Sequence, residues 1–116
     1  MHTSHISIDI HLGQDKVPDK INWKASDSSA EEMQESKAMM VSFWDGSEKN
    51  AMRIDLWTKK MMVDEMADFF YQSFMGMADA YDRATHAHPE AESIRLFAKE
   101  FYRKFRENQL KENKGA

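Results

Sequence analysis

SKAMMVSFWDGSEKNAMRIDLWTKKMMVDEM, residues 36–66, holds two apolar runs on either side of a polar loop, followed by the start of a helix. With 45–50 as the loop, Trp44 faces Ala51 across an antiparallel pair. Stepping outward, Phe43 meets Met52, Val41 meets Ile54 and Met39 meets Leu56 on one face. Ser42 meets Arg53, Met40 meets Asp55 and Ala38 meets Trp57 on the other. A side-chain period of two forces this sorting, and a slip of one residue would put Ile54 and Leu56 on the wrong side. The loop DGSEKN supplies the Asp, Gly, Ser and Asn that turns favour. The competing reading is a helix over 30–44, whose period Met33, Met40, Phe43 and Trp44 roughly suit. The match of apolar to apolar across the loop favours the strands.

Working towards the N-terminus, residues 3–12 alternate strictly. Ile6, Ile8, Ile10 and Leu12 point one way, and His5, Ser7, Asp9 and His11 the other, which predicts a half-buried strand. Pro18 keeps Val17 extended in the connection that follows. A second strand over 20–26 buries Ile21, Trp23 and Ala25 and exposes Asn22 and Lys24. The segment SDSSAEEMQE (26–35) is too polar to support a core, and reads as a mobile loop or a short helical turn. With strands at 37–45 and 50–58, the expectation is a four-stranded antiparallel meander.

Past Trp57 the period changes to that of a helix. Over 63–85, Val63, Met66, Phe69, Phe70, Phe74, Met77, Ala78 and Tyr81 fall on one wide arc, with Asp64, Glu65, Asp68, Gln72, Asp79 and Asp82 opposite. Asp64 and Glu65 occupy the first turn, where the helix dipole favours negative charge. THAHPE (85–90) interrupts, and Pro89 suits the opening of a second helix over 90–108. Its stripe is Ala91, Ile94, Phe97, Ala98, Phe101, Tyr102 and Phe105, with Arg95, Lys99, Arg103 and Arg106 on the far side. The tail, 109–116, is expected to be disordered. The fold class is therefore α+β: one domain, a four-stranded antiparallel sheet with two C-terminal helices packed on one face.

A chain of 116 residues can bury a core without staples. Cysteine is absent, which removes thiol catalysis, CxxC redox chemistry and Cys-type zinc sites. MHTSHISIDIHLG lacks the basic and apolar regions of a signal peptide, and no apolar run approaches a membrane span. A cytoplasmic location is expected. The net charge of -4 divides unevenly: residues 1–93 carry 9 basic and 17 acidic side chains, and residues 94–116 carry 7 and 3. A basic solvated helix beside an acidic body accounts for this, and a pI near 5.7 argues against a nucleic-acid partner.

The chemistry-bearing residues assemble into no recognised site. His5, Asp9 and His11 share one face of the first strand, and His86 and His88 flank Ala87, but neither group supplies the three or four ligands zinc requires. GxSxG, HExxH, phosphate-binding loops and dinucleotide fingerprints are missing. The expectation is no catalytic residue, no metal and no cofactor. The outer face of the 37–58 hairpin remains. It carries Met40, Trp44, Arg53, Asp55 and Trp57, with Lys20, Asn22 and Lys24 expected alongside. Trp and Arg are enriched in binding hot spots, so this face is the candidate protein-binding surface.

The run AMMVSFWDGSEKNAMRIDLWTKKMMVDEM (38–66), with FFYQSFMGMADAYDRAT (69–85) and VPDKINWKA (17–25), resembles the gliding motility-associated protein GldC family of the Bacteroidetes. The likeness runs from about Ile6 to Phe105. It implies a small accessory protein of gliding motility, whose partner is a protein of the gliding or associated secretion machinery, with a homo-oligomer left open. It implies no enzymatic activity and no cofactor, and it places Trp44, Arg53, Asp55, Leu56 and Trp57 inside the family's signature. Where the family tends to place Pro before VDEM, this chain has Met62. The alternatives are a SecB-like chaperone for secretion substrates, suggested by element order alone, and a small enzyme of unknown reaction.

Overall fold

A computed structural model describes residues 1–115. Its class is α+β: five strands in two antiparallel sheets, then two helices. The strands are β1 (Ile6–Leu12), β2 (Pro18–Ala25), β3 (Gln34–Ser36), β4 (Ala38–Asp45) and β5 (Asn50–Trp57). The helices are α1 (Val63–Thr85) and α2 (His88–Gly115). Two compact units result, Met1–Met61 and Met62–Ala116, and each is described by itself.

The register of the 38–57 hairpin is the one its apolar pattern dictates. Ala38 pairs with Trp57, Met39 with Leu56, Met40 with Asp55, Val41 with Ile54, Ser42 with Arg53, Phe43 with Met52 and Trp44 with Ala51. The loop is closed by Asp45, whose Oδ1 accepts from the backbone N–H of Ser47 (2.9 Å) and of Glu48 (3.3 Å). The Lys49 N–H donates to the Asp45 carbonyl at 2.8 Å, with Lys49 left-handed at φ 55°. An acceptor side chain at the loop's first residue thus takes up donors that the turn would leave unpaired.

The meander is where expectation and structure part. The third strand is two strands in succession: β3 pairs with β2 (Ile21 with Ser36, Trp23 with Gln34), and β4 pairs with β5. Lys37 lies between them, and its carbonyl already accepts from the Thr58 N–H at 2.7 Å. Continuing the β2–β3 register would set Lys20 against Lys37 and Pro18 against Met39. A like-charge pair and a residue without an N–H make poor ladder partners. The ladder therefore passes to β5, and a 3+2 arrangement replaces the four-stranded sheet.

The polar segment 26–35 is also more ordered than its composition suggests. Ala30 is buried and its carbonyl accepts from the Ala25 N–H at 2.8 Å, while Ser28 Oγ donates to the Ala25 carbonyl at 2.7 Å. Before β1, Ser4 Oγ donates to Asp27 Oδ2 at 2.6 Å, and the Ser26 N–H to the His5 carbonyl at 2.9 Å. Hydrogen bonds from Ser4, and then His2, hold the Asp27 carboxyl below its usual range.

Burial follows the expected pattern only in part. Ile21 is fully buried, and Trp23 and Ala25 are half-buried. Ile6, Ile8, Ile10 and Leu12 of β1 are exposed, and so are Phe43 (63 %), Met52 (61 %) and Ile54 (50 %) on the hairpin face expected to be covered. Met39, Val41 and Leu56 are half-buried. A two-stranded sheet shields little of its own surface, so pattern alone does not bury these side chains.

In the second unit α1 starts where Glu65 Oε1 accepts from the Met62 N–H at 3.2 Å, a reach-back that serves without Pro at that position. It ends at His86, left-handed at φ 57°, whose N–H donates to the Asp82 carbonyl. The buried residues of the two helices are alanines: Ala67 and Ala78 on α1, Ala91 and Ala98 on α2. Small side chains let the backbones approach, and aromatic rings fill the flanks. Phe74 meets Phe97 and Phe101 edge-on at 5.4 and 5.5 Å between centroids, and Tyr71 meets Tyr102 at 5.1 Å. α2 stays helical to Gly115, beyond the expected end at 108, since Gln, Leu, Lys and Glu are all good helix formers. Ala116, the last residue of the tail expected to be disordered, lies outside the described residues.

Ile21→Ala should cost about 2–5 kcal/mol in urea unfolding, whereas Ile54→Ala, half-exposed, should cost about 1 kcal/mol. In the loop, Asp45→Ala should lower stability by about 1 kcal/mol, and Lys49→Gly should raise it by about 0.5–1 kcal/mol by removing a left-handed side chain.

Candidate functional site

The candidate surface is the hairpin face on which Trp44, Ser42, Met40 and Ala38 of β4 alternate outward opposite Ala51, Arg53, Asp55 and Trp57 of β5. Each indole stands opposite an alanine, so no bulky neighbour covers it from across the ladder. Trp44 is 69 % exposed and Trp57 is 56 % exposed. Six residues of extended chain separate their rows, roughly 20 Å. The structure therefore sets the two indoles at opposite ends of the face rather than in one cluster.

Between them Arg53 makes a two-pronged contact with Asp55. Its Nε donates to Oδ2 at 3.2 Å and its Nη2 to Oδ1 at 2.9 Å. This bond raises the affinity of the Arg53 guanidinium for its proton, and both groups remain nearly half-exposed. Met40, half-buried, lies across the ladder from Asp55. Arg53, Asp55 and Met40 are thus brought together, with an indole at either end.

Lys20, Asn22 and Lys24 do not join this face. They belong to β2 in the three-stranded sheet, where Lys20 Nζ lies 3.7 Å from Glu35 and Asn22 Nδ2 lies 3.3 Å from His11 Nε2. Only a continuous meander would set them beside the hairpin, and the handover at Lys37 interrupts it.

The histidines are dispersed. His2 contacts Asp27, His11 contacts Asn22, His86 ends α1, and His88 Nδ1 contacts Asp82 Oδ1. Among the described residues no group of three or more His, Asp or Glu side chains is placed to hold a metal ion.

Two charge clusters were not legible in the sequence. Lys59 Nζ reaches Asp15 (2.9 Å) and Asp19 (3.4 Å); its hydrogen bond to Asp15 raises the lysine and lowers the carboxyl. At the turn between the helices, Arg95 bonds Glu92 (2.6 Å) and Asp79 (2.8 Å) and lies 3.5 Å from Asp82. Periodicity sets Asp79 and Asp82 opposite the apolar arc of α1 and Arg95 on the far side of α2, yet Arg95 is only 20 % exposed. The helical wheel shows one helix at a time, and the cross-helix pairing depends on how the two cross. A groove of about 650 Å³ also opens between the start of α1 and the later turns of α2, lined by Val63, Phe101 and Phe105 with Asp64, Lys104 and Glu112.

In chemical terms the hairpin face offers two flat aromatic surfaces and a paired charge, a set suited to recognition. A family model described as gliding motility-associated protein GldC-like matches residues 18–107, from β2 into α2, which leaves β1 outside the match. No curated protein and no solved structure matches the chain. Spanning well over half of the sequence and the whole candidate face, that match shows that the chain belongs to the GldC-like family of gliding motility-associated proteins.

Proposed function

We propose that this chain is a non-enzymatic accessory protein of gliding motility that works by protein contact through Met40, Trp44, Arg53, Asp55 and Trp57. The observation that carries this reading is the pair of tryptophans standing more than half-exposed on one ordered face, with the Arg53–Asp55 pair between them. Large aromatic side chains left in water are costly, and interfaces recover that cost. The partner is a component of the motility or associated secretion machinery, met in the cytoplasm. The shifted ionisations also support a non-catalytic reading. Those of Asp15, Asp27, Arg53, Lys59, Tyr81, Arg95, Glu100 and Arg103 each have an exposed hydrogen-bonding neighbour as their first cause, not burial in a cleft.

A chaperone for secretion substrates is the second reading. It is favoured by the exposed apolar rows Ile6, Ile8, Ile10 and Leu12 on β1, and Phe43, Met52 and Ile54 on the hairpin. Surfaces of this kind hold unfolded chains.

Trp44→Ala combined with Trp57→Ala separates the two. If the indole face is the contact, the double variant keeps its circular dichroism and melting temperature but loses capture of partners from extracts of a gliding host. If the chaperone reading holds, wild-type protein slows aggregation of an unfolded client and the double variant does so equally well. Capture undiminished in the double variant would rule out the indole face.

A further inference from the structure

β5 is an edge strand: β4 pairs its inner side throughout, and no strand pairs its outer side among the described residues. The Thr58 N–H bond to the Lys37 carbonyl sets the alternation of the ladder. Leu56, Ile54 and Met52 direct their backbone groups at β4, and Ala51, Arg53, Asp55 and Trp57 direct theirs outward. An isolated two-stranded sheet is marginal, and a row of unpaired backbone groups is a template for another strand. β5 carries neither a proline nor a bulge to block one.

We propose that β5 pairs with β5 of a second copy of this chain, antiparallel about a two-fold axis at Ile54, so that Arg53 of each copy lies opposite Asp55 of the other. Antiparallel self-pairing is isologous, and outward backbone groups must meet outward ones. Four registers satisfy this with five or more of the strand's eight residues overlapped, and the one with its two-fold at Met52 overlaps only five and leaves both Asp55 side chains unpaired. A two-fold at Arg53 sets guanidinium against guanidinium, and one at Asp55 sets carboxylate against carboxylate. The two-fold at Ile54 joins Arg53 to Asp55 twice, Met52 to Leu56 and Ala51 to Trp57, and keeps apolar residues on one face and charged residues on the other. The bond that each Arg53 now makes to its own Asp55 shows that the two side chains occupy the same face within reach of one another. Of the other edge strands, β1 has Asp9 and β4 has Asp45 as its only carboxylate, neither has an Arg or Lys to set against it, and β3 is three residues long. The result is a four-stranded sheet with order β4–β5–β5–β4, carrying the indole-bearing faces of both copies on one side. Its contact is small by the standard of stable dimers, so it dissociates on dilution.

Sedimentation velocity on the full chain, from low micromolar to several hundred micromolar, tests the pairing. Wild type is expected to show a monomer–dimer equilibrium. Arg53→Asp and Asp55→Arg, each alone, should weaken the dimer about tenfold or more by opposing like charges. An equimolar mixture of the two variants should form the heterodimer, and the double reversal should restore the homodimer. Circular dichroism checks that each variant is folded. Ile54→Cys, in a chain with no native cysteine, supplies a readout free of charge changes. The two Cα atoms at the axis would be about 4.5 Å apart, within disulfide range, so mild oxidation should link the copies, whereas Ile8→Cys on β1 should not. A monomeric wild type across the range, reversals without effect, a mixture that fails to associate, or equal cross-linking at residues 8 and 54 would each overturn the proposal. The readout is association of the purified chain with itself, whereas the indole face is tested by capture of another protein, so failure of the one is told apart from failure of the other.

Discussion

The first unit depends on where a single extended run, 34–45, changes its hydrogen-bonding neighbour. Up to Ser36 the run is bonded to β2; from Lys37 onward it is bonded to the segment ending in β5. Backbone donors and acceptors have to be matched along the whole run, and β2 can match only the first part before Pro18 removes a donor. Every later feature of the unit inherits this. The hairpin is a separate two-stranded sheet, its faces are open, and Lys20, Asn22 and Lys24 belong elsewhere.

The helical unit solves a different problem. Its closest contacts are made by alanines, and its larger contacts by rings that meet edge to face or tilted. Charge then organises the turn end: Arg95 collects Glu92, Asp79 and Asp82, while Arg103 is held by Glu100 and Glu107 along α2.

The open hairpin offers two kinds of surface at right angles. Its face presents side chains, and its edge presents backbone. Trp44 and Trp57 lie at the ends of the face, and the Arg53–Asp55 pair in its middle also borders the edge.

Residues 38–57 determined their own register, because only one alignment of that hairpin puts Phe43, Val41 and Met39 opposite Met52, Ile54 and Leu56. Periodicity likewise determined both helices, and the run from Trp44 to Met66 carried the family likeness. β3 was illegible for the opposite reason. Gln34, Glu35 and Ser36 have no pattern of their own and are a strand only because β2 offers them partners. Burial was also beyond the sequence, since alternation says which side chains share a face but not whether anything covers it. The split of the sheet, the pinning of Arg95 by α1 carboxylates and the exposure of Ile54 all arise between segments far apart in the chain. Local preferences act over a few residues, and only the tertiary arrangement decides which distant groups compete for the same partner.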